Sequence, residues 1–313
     1  MKDLGHLSYF LGLELTHLID SLYITQAKYA SDLLSRARLT DNKTIDTQVE
    51  LNAHLTLSEG GREPLSNPSL YRWLIGNLVY LILTRPDISY VIHQVSQYLC
   101  TPRSTHYAAV LRNLWYLKGT LFHGIFYSAQ SPFVLHAFSD ADWARDPTDR
   151  RSTTSYCFLL GSYLISWRSK KQTFVTHSNI EAEYRSLAET TFKLLWLRWF
   201  FKDLGVSTSS TTPLYCDNQS AIHIAHNDVF HEWTKHIEID CHFIRYHLIH
   251  GALKLFSVSS KDQLVDVFTK SHPKGRLRDL VDNLKLVSHP PWVWGGMLPC
   301  IMLWALGLTR LLV

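Results

Sequence analysis

Apolar positions along the first part of the chain, to about residue 130, predict a hairpin followed by helices. The predicted elements are a strand over 7–15, its hairpin partner over 22–25, and helices over 26–38, 70–85, 87–99 and 104–119. In these helices apolar side chains recur every three or four residues, which places them on one face. Residues 41–68 are polar and contain Gly60-Gly61, so a linker or long loop is predicted there.

From about residue 131 the apolar pattern becomes typical of strands. The predicted elements are strands over 133–138, 155–160, 163–167, 213–216 and 252–258, a long helix over 180–204, helical stretches before the fifth strand, and a last helix opening over 262–270. Three successive strands followed by alternating helices and strands predict an α/β fold, with one mixed five-stranded sheet and flanking helices.

Four acidic residues of this second half follow strand-like runs or lie on one face of helix-like runs. They are Asp140, Glu183, Asp217 and Asp266, within S-D-A-D-W, E-A-E-Y, Y-C-D-N-Q-S-A and Q-L-V-D-V-F-T-K. If the strands before Asp140 and Asp217 are neighbours, these two carboxylates meet, and the two helices each add one more. Asp142 lies on the same strand face as Asp140, so periodicity does not choose between them.

A gathered set of carboxylates predicts a site for hard divalent cations. Two like charges about 4 Å apart repel by roughly 4 kcal/mol at an effective dielectric of 20, and bound cations reverse that balance. Oxygen ligands favour Mg²⁺ or Mn²⁺ over zinc. Two ions about 3.5–4 Å apart activate a water and stabilise the leaving oxygen of a phosphodiester, so we expect metal-dependent phosphodiester cleavage.

Composition limits the cell compartments and the kinds of partner that are expected for this chain. A chain of 313 residues that is 46% hydrophobic can bury a core, and its net charge of +4 allows a nucleic-acid partner without requiring one. The five cysteines form no C-x-x-C pair, which is typical of free thiols in a reducing compartment. The N-terminus has no apolar signal core, so we expect an intracellular protein, cytoplasmic or nuclear.

The C-terminal residues from 297 to 313 are apolar but do not predict a membrane span. A span needs about 20 apolar residues, whereas this run is shorter and contains Pro299, Gly307 and Arg310.

Two further groups of residues have candidate functions. Arg168, Lys170 and Lys171 follow a predicted strand, where they either bind nucleic-acid phosphates or lie in an ordinary solvated loop. Seven histidines lie between residues 223 and 250. No thiol pair accompanies them, and His242 and His247 are five residues apart rather than four, so no zinc site is predicted.

These segments, in this order, resemble the RNase H domain of copia-type retrotransposon Pol polyproteins. The matching flanking segments include D-R-R-S-T (149–153), Y-C-D-N-Q-S-A-I (215–222) and D-V-F-T-K (266–270). Upstream, Y-F-L-G-L-E-L (9–15) and T-R-P-D-I-S-Y (84–90) resemble the part of the same polyprotein's reverse transcriptase that follows its catalytic core.

The resemblance implies four parts of the chain. They are the end of a reverse-transcriptase palm over 1–40, a linker and mainly helical thumb- or connection-like region over 41–130, an RNase H-like domain over 131–275, and an atypical apolar tail over 276–313. The polymerase's Y-x-D-D motif is absent, so DNA synthesis by this chain is not expected. The polymerase portion is instead an expected partner in gripping substrate.

The resemblance also implies an activity and the residues that carry it. Type-1 RNase H cuts the RNA strand of an RNA–DNA hybrid, without a small-molecule cofactor. The implied roles are direct Mg²⁺ ligation by Asp140 and Asp217, with Glu183 and Asp266 completing two ion sites. The small residue that follows the family's first acid favours Asp140 over Asp142.

Departures from the family pattern leave alternatives open. Arg145, Trp233 and Ser259 stand where the family usually has other residues, although none of the four acids is lost. The chain is then either a hybrid-cleaving nuclease or a catalytically inactive relic that at most binds nucleic acid. A transposase or integrase is disfavoured because its acids occur in the order Asp, Asp, Glu, whereas here the glutamate comes second.

Overall fold

A computed structural model describes residues 7–39, 41–51, 55, 63–146, 148–206, 211–227 and 237–288. In the described part of the chain there are two compact units, one formed by residues up to 131 together with residues 271–288, the other by residues 132–270. The apolar run over 297–313 lies outside the described residues. The four-part division implied by the family resemblance stays a prediction.

The described residues form ten strands, eight α-helices and two 3₁₀ turns. The strands are β1 (Tyr9–Phe10), β2 (Leu13–Leu18), β3 (Ser21–Thr25), β4 (His123–Ser128), β5 (Leu135–Asp142), β6 (Thr153–Leu160), β7 (Tyr163–Lys171), β8 (Thr212–Cys216), β9 (Leu253–Ser257) and β10 (Leu286–Ser288). The helices are α1 (Ala27–Arg36), α2 (Pro68–Leu81), α3 (Ser89–Ser96), α4 (Ser104–Gly119), α5 (Asn179–Asp203), α6 (Gln219–His226), α7 (Glu238–Ile249) and α8 (Lys274–Asn283). The 3₁₀ turns are Pro86–Ile88 and Leu264–Phe268.

The first unit contains an antiparallel sheet in the order β1-β2-β3-β4-β10. β1 and β2 are joined by a tight turn in which Leu11 and Gly12 both have positive φ. Buried side chains of α2, among them Leu74 and Leu78, contribute to the apolar interior of this unit. β4 and β10 are absent from the sequence-based prediction, and β10 brings the chain back to this sheet from residue 286.

A buried ion pair ties the 3₁₀ turn after α2 to the end of α4. The Arg85 guanidinium donates to both carboxylate oxygens of Asp87, at 2.9 and 2.7 Å, and Tyr116 donates to the same carboxylate at 2.7 Å. Arg85 also donates to Thr120. Although burial opposes ionisation, Arg85 holds the pKa of Asp87 below its usual range. The charges therefore compensate each other in a dry environment.

The second unit contains a mixed sheet in the order β7-β6-β5-β8-β9. β5, β6 and β7 form an antiparallel meander, whereas β8 lies parallel to β5 and β9 lies parallel to β8. The long helix α5 packs against β5 and β6. Phe158, Leu164 and Leu214 are fully buried in this sheet. The predicted α/β class, with a mixed five-stranded sheet and flanking helices, is confirmed.

In the second unit, the predicted local structure around Asp140 and Asp266 is wrong. The sequence pattern ends the first strand of the second unit at 138 and places Asp140 after it, whereas β5 continues to Asp142 and Asp140 lies inside the strand. The strand continues because its pairing with β6 extends as far as Asp142, so backbone hydrogen bonds to β6 keep these polar residues extended. The predicted last helix over 262–270 is a short 3₁₀ turn, Leu264–Phe268, and α8 begins only at Lys274.

Among the described residues, no helix combines the length and the apolar character that a bilayer crossing requires.

Candidate active site

Asp140 and Asp217 come from neighbouring parallel strands. Phe138 of β5 pairs with Tyr215 of β8, and both strands run in the same direction. β8 ends at Cys216, so the next residue, Asp217, emerges at the same edge of the sheet as Asp140. In open α/β sheets this carboxyl-terminal edge is where ligands usually bind.

Buried hydroxyl groups fix the position of α5 on β5, and with it Glu183. The Ser186 hydroxyl donates to the carbonyl of Asp140 at 2.8 Å, and the Thr190 hydroxyl donates to Ser139 Oγ at 3.0 Å. Glu183 lies three residues before Ser186, about one helical turn away. Its carboxylate therefore comes to the end of β5 where Asp140 lies.

Glu183 has an unsatisfied carboxylate oxygen. The residue is 3% exposed, and its Oε2 is buried without a hydrogen-bond partner. Burial, with added repulsion from the charges of Asp140 and Asp217, raises the pKa of Glu183 well above its usual value. An ionised carboxylate in this position requires a compensating cation.

Asp217 is more accessible than the other acids and lies close to Glu183. One possible ligand atom from each of Glu183, Cys216 and Asp217 lies within 4.8 Å of the others. The Ser260 hydroxyl donates to Asp217 Oδ2 at 3.0 Å. Burial raises the pKa of the Cys216 thiol, so without a bound ion the sulfur stays protonated.

Asp266 is carried by the second 3₁₀ turn, which side-chain hydrogen bonds fasten to the sheet. The Gln263 amide donates to the carbonyl of Ser139 at 2.9 Å, and the Ser169 hydroxyl donates to the carbonyl of Phe268 at 2.7 Å. Asp266 is buried, and its charge is one of those that act on Asp140.

Asp140 is influenced by all of these neighbours. It is 2% exposed, and its Oδ2 accepts a hydrogen bond of 2.9 Å from the Thr269 hydroxyl. Burial raises the pKa of Asp140 to about 6, against the attraction of Lys270 and with added repulsion from Asp266 and Asp217.

The acids share one region of the second unit. Asp140, Glu183 and Asp217 line a cleft of about 610 Å³. Asp266 is joined to it through Lys270, whose ammonium contacts both Asp266 and Asp140. The structure thus brings together the four carboxylates that the sequence singled out from distant segments.

Comparisons with known proteins identify the family. No protein-family model matches the chain. The retrovirus-related Pol polyprotein from transposon RE2 of Arabidopsis thaliana is 41% identical over 298 residues, which are 95% of this chain and 20% of that protein. The retrovirus-related Pol polyprotein from transposon TNT 1-94 of Nicotiana tabacum is 34% identical over 285 residues, which are 88% of this chain and 21% of that protein.

The chain belongs to the copia-type retrotransposon Pol polyproteins. The family predicted from the motifs is confirmed. The Pol chain spans about a fifth of the length of these relatives. Among solved structures, an RNase H1 isolated from compost by a metagenomic approach is 12% identical, with 49% of the Pol chain and 96% of that protein aligned at a TM-score of 0.32.

Asp142, the alternative to Asp140 in the Pol chain, faces the same cleft but has a different partner. Its Oδ2 lies 3.4 Å from Nη1 of Arg145. Burial raises the pKa of Asp142 to about 6, although Arg145 and Lys270 oppose the shift. Asp140 is the deeper of the two and contacts Thr269 and Lys270 directly.

The donor set of the Pol chain fits a hard divalent cation. Four acidic residues line one cleft, namely Asp140, Asp142, Glu183 and Asp217, and one of their oxygens, Glu183 Oε2, is buried without a protein partner. Mg²⁺ and Mn²⁺ prefer oxygen ligands of this kind. In the described part of the chain, the one group of His, Cys, Asp and Glu ligand atoms close enough to hold a metal contains no histidine. Of the seven histidines weighed for zinc, His231 and His236 lie outside the described residues.

The three basic candidates of the Pol chain were predicted to follow a strand, but they lie within β7 itself, two strands away from β5. Arg168 Nη1 is 3.1 Å from Glu189, and Lys171 Nζ is 2.5 and 2.9 Å from Asp146 and Asp149. Lys170 is exposed, and it lines a second cleft of about 470 Å³, distinct from the one that holds the acids. The structure therefore does not bring this basic group together with the carboxylates.

Sequence reasoning missed the residues that support the acids. Lys270, Thr269 and Ser260 contact Asp140, Asp266 or Asp217 directly. Lys270 is the last residue of the D-V-F-T-K motif and stands four residues after Asp266. Side chains at this spacing meet on a helix, so the spacing could have indicated the contact. For Ser260 no local signal exists, because its proximity to Asp217 depends on how β9 pairs with β8.

Proposed function

We propose that residues 132–270 form a metal-dependent endonuclease of RNase H type that hydrolyses the RNA strand of RNA–DNA hybrids. The observation that carries this proposal is the buried, unsatisfied Oε2 of Glu183 in a cleft shared with Asp140 and Asp217. An ionised carboxylate in this position is costly in a folded protein unless it binds a cation. Membership of the Pol family adds the nucleic-acid context.

The four acids have distinct proposed roles. Asp140 and Asp217 ligate the ions directly, and Glu183 and Asp266 complete the two ion sites. Two Mg²⁺ ions, with Mn²⁺ as the alternative, would activate water and stabilise the leaving oxygen during in-line displacement. Thr269 holds Asp140 Oδ2, and Ser260 holds Asp217 Oδ2, so each carboxylate is oriented before an ion binds. Hydrolysis then leaves 3′-hydroxyl and 5′-phosphate ends.

Hybrid binding is assigned to the basic residues of β7. Lys170 is exposed and available for a phosphate, whereas Arg168 and Lys171 must loosen their contacts with carboxylates to reach one. We expect Lys170→Glu to weaken hybrid binding and to lower its dependence on salt concentration, because one phosphate contact is lost. Other parts of the Pol polyprotein, including its reverse-transcriptase portion, are proposed to help hold the hybrid.

The direct test is cleavage of a hybrid whose RNA strand is end-labelled, by the purified full chain in Mg²⁺. We expect cleavage in Mg²⁺ and none after chelation. Asp217→Asn and Asp140→Asn should each lower the cleavage rate by about 100-fold or more, because loss of even an outer-shell partner costs 10–100-fold. Hybrid binding, measured separately by filter retention, should survive in both variants.

A matched control separates the site from a general charge effect. Asp262→Asn removes an exposed carboxylate of the same unit and should leave the rate unchanged. Equal cleavage by the wild type and Asp217→Asn would refute the role assignment. Hybrid binding without cleavage by the wild type would instead favour the inactive relic.

A further inference from the structure

Lys270 places a protein cation inside the cluster of acids. Its Nζ lies 2.7 Å from Asp266 Oδ1 and 3.6 Å from Asp140 Oδ2. The two carboxylates are almost fully buried, with side chains 8% and 2% exposed, whereas the Lys270 side chain is 30% exposed. The lysine, which lines the cleft, therefore reaches from a more exposed position to two more deeply buried acids.

The backbone holds Lys270 in this position. Its N–H donates to the carbonyl of Asp266 at 3.0 Å, and that of Thr269 donates to the same carbonyl at 3.1 Å. Because the turn itself is fastened to β7 through Ser169 and Phe268, the start of the lysine side chain is fixed beside the acids. The contact is thus built into the fold at its base, while the long side chain remains free to swing outward.

The ammonium directly contacts one side of the cluster, and its charge acts from farther away on Glu183 and Asp217. Asp140 and Asp266 contact the ammonium, whereas Asp217 accepts from the neutral hydroxyl of Ser260, and Glu183 Oε2 has no hydrogen-bond partner. An oxygen that faces an ammonium has less charge and fewer lone pairs to offer to a metal. Ions that approach Asp140 and Asp266 therefore meet a competitor that ions near Glu183 and Asp217 do not meet.

We propose that Lys270 competes with divalent cations for Asp140 and Asp266 and so sets the ion concentration that the site requires. This inference rests on the proposed metal site. When ions are scarce, the ammonium keeps the two acids together. When ions are abundant, the lysine swings toward solvent. Lys270 is thus a positioning residue for the two carboxylates.

The test is a titration of the full chain with Mg²⁺ or Mn²⁺ by calorimetry, together with melting temperatures in chelator. Lys270→Met replaces the lysine with an uncharged side chain of similar length. In this variant the more weakly bound of the two ions should bind about tenfold more tightly, a coupling of ordinary size between linked sites. In chelator the same variant should melt at a lower temperature, because the acids then repel without compensation. Lys270→Arg, which keeps the charge, should behave like the wild type.

Two further variants serve as controls. Lys274→Met breaks an exposed ion pair of the first unit, in which Lys274 Nζ lies 2.8 Å from Asp46 Oδ2. This variant should leave the affinity for divalent cations unchanged. Lys270→Gln retains a hydrogen-bond donor without a charge, and it replaces Lys270→Met if the latter does not fold in chelator. Tighter ion binding by either neutral variant supports the proposal.

Unchanged or weaker ion binding by the neutral variants overturns the proposal. If the wild type also cleaves hybrid in Mg²⁺, only the role of Lys270 fails and the proposed nuclease stands. If neither the wild type nor the variants bind ions, both fail. Ion binding by a neutral variant alone supports Lys270 as the competitor.

Discussion

At the scale of single residues, Asp140 shows how the fold changes the chemistry of a side chain. Desolvation and the nearby acids raise its pKa, the Lys270 ammonium lowers it, and the net result is a pKa of about 6. Glu183 is shifted in the same direction, again mainly by burial. Without a bound ion, the folded chain therefore keeps protons on these groups at pH values where an unfolded chain has released them.

This shift predicts an unusual pH dependence of stability in chelator. A carboxyl whose pKa is higher in the folded state stabilises the fold at low pH, and its contribution is lost as pH rises from about 4, the unfolded value, through about 6. Asp140→Asn lacks this titration. The free energy of unfolding of the variant, relative to wild type, should therefore increase between pH 4 and 6 and change little above that range.

Urea denaturation in chelator at a series of pH values measures the effect. Asp262→Asn is the control, since it alters an exposed carboxylate. A constant difference between wild type and Asp140→Asn across this range would show that Asp140 has no raised pKa in the folded chain. Addition of Mg²⁺ should reverse the trend for wild type, because ions bind the deprotonated acids.

At the scale of elements, two glycines differ in what their surroundings allow. Gly124 lies in β4, between β3 and β10, where a Cβ would meet the carbonyl oxygen of Ile24 at 2.4 Å and the ring of Tyr23 at 3.0 Å. Gly76 lies in the exposed interior of α2, where a Cβ would meet nothing within 4 Å. The close approach of the β3 and β4 backbones requires a glycine at position 124. No steric contact requires a glycine at position 76.

Alanine substitutions should therefore have opposite effects. Gly124→Ala is expected to destabilise the first unit by about 1–3 kcal/mol, because the strand pair must separate to admit a methyl group. Gly76→Ala should stabilise it by about 0.5–1 kcal/mol, the cost of glycine in a helix interior. Urea denaturation compares the free energies of unfolding, and destabilisation by Gly76→Ala would contradict the structure of α2.

At the scale of the whole molecule, the first unit is assembled from two distant parts of the chain. β10 pairs with β4, with Leu286 opposite Ile125, and α8 buries Leu277 and Leu280. Both elements follow the second unit in sequence. The described residues of the second unit, in contrast, all come from one stretch of the chain, 132–270, which contains its own sheet and buried core.

This arrangement predicts an asymmetric response to truncation. A chain of residues 1–270 lacks α8 and β10, so β4 loses its partner on one side, and its amides should exchange faster with solvent than in a chain of residues 1–288. The amides of β5 to β9 should exchange equally in both chains. Hydrogen exchange read by mass spectrometry decides the matter, and equal protection of β4 in both chains would contradict the assignment of 271–288 to the first unit.

Local patterns were sufficient for most elements of the second unit. The five strands and the long helix were predicted within a few residues, because strand and helix periods are properties of short segments. β10 was missed because three residues are too few to show a period. β4 was missed because His123, Gly124 and Ser128 occupy its ends and leave only a short apolar run between them. The order of the four acids was also readable, together with the motifs that identify the Pol family.

What the sequence by itself determined is therefore most of the elements, the family, and which carboxylates are candidates for metal binding. Only the tertiary structure decided that β8 lies beside β5, that Glu183 keeps a buried oxygen without a partner, and that Lys270 reaches Asp140 and Asp266. The physical reason is that burial and the distance between remote residues arise from packing. A short segment specifies its own backbone and the direction of its side chains, but not its neighbours in space.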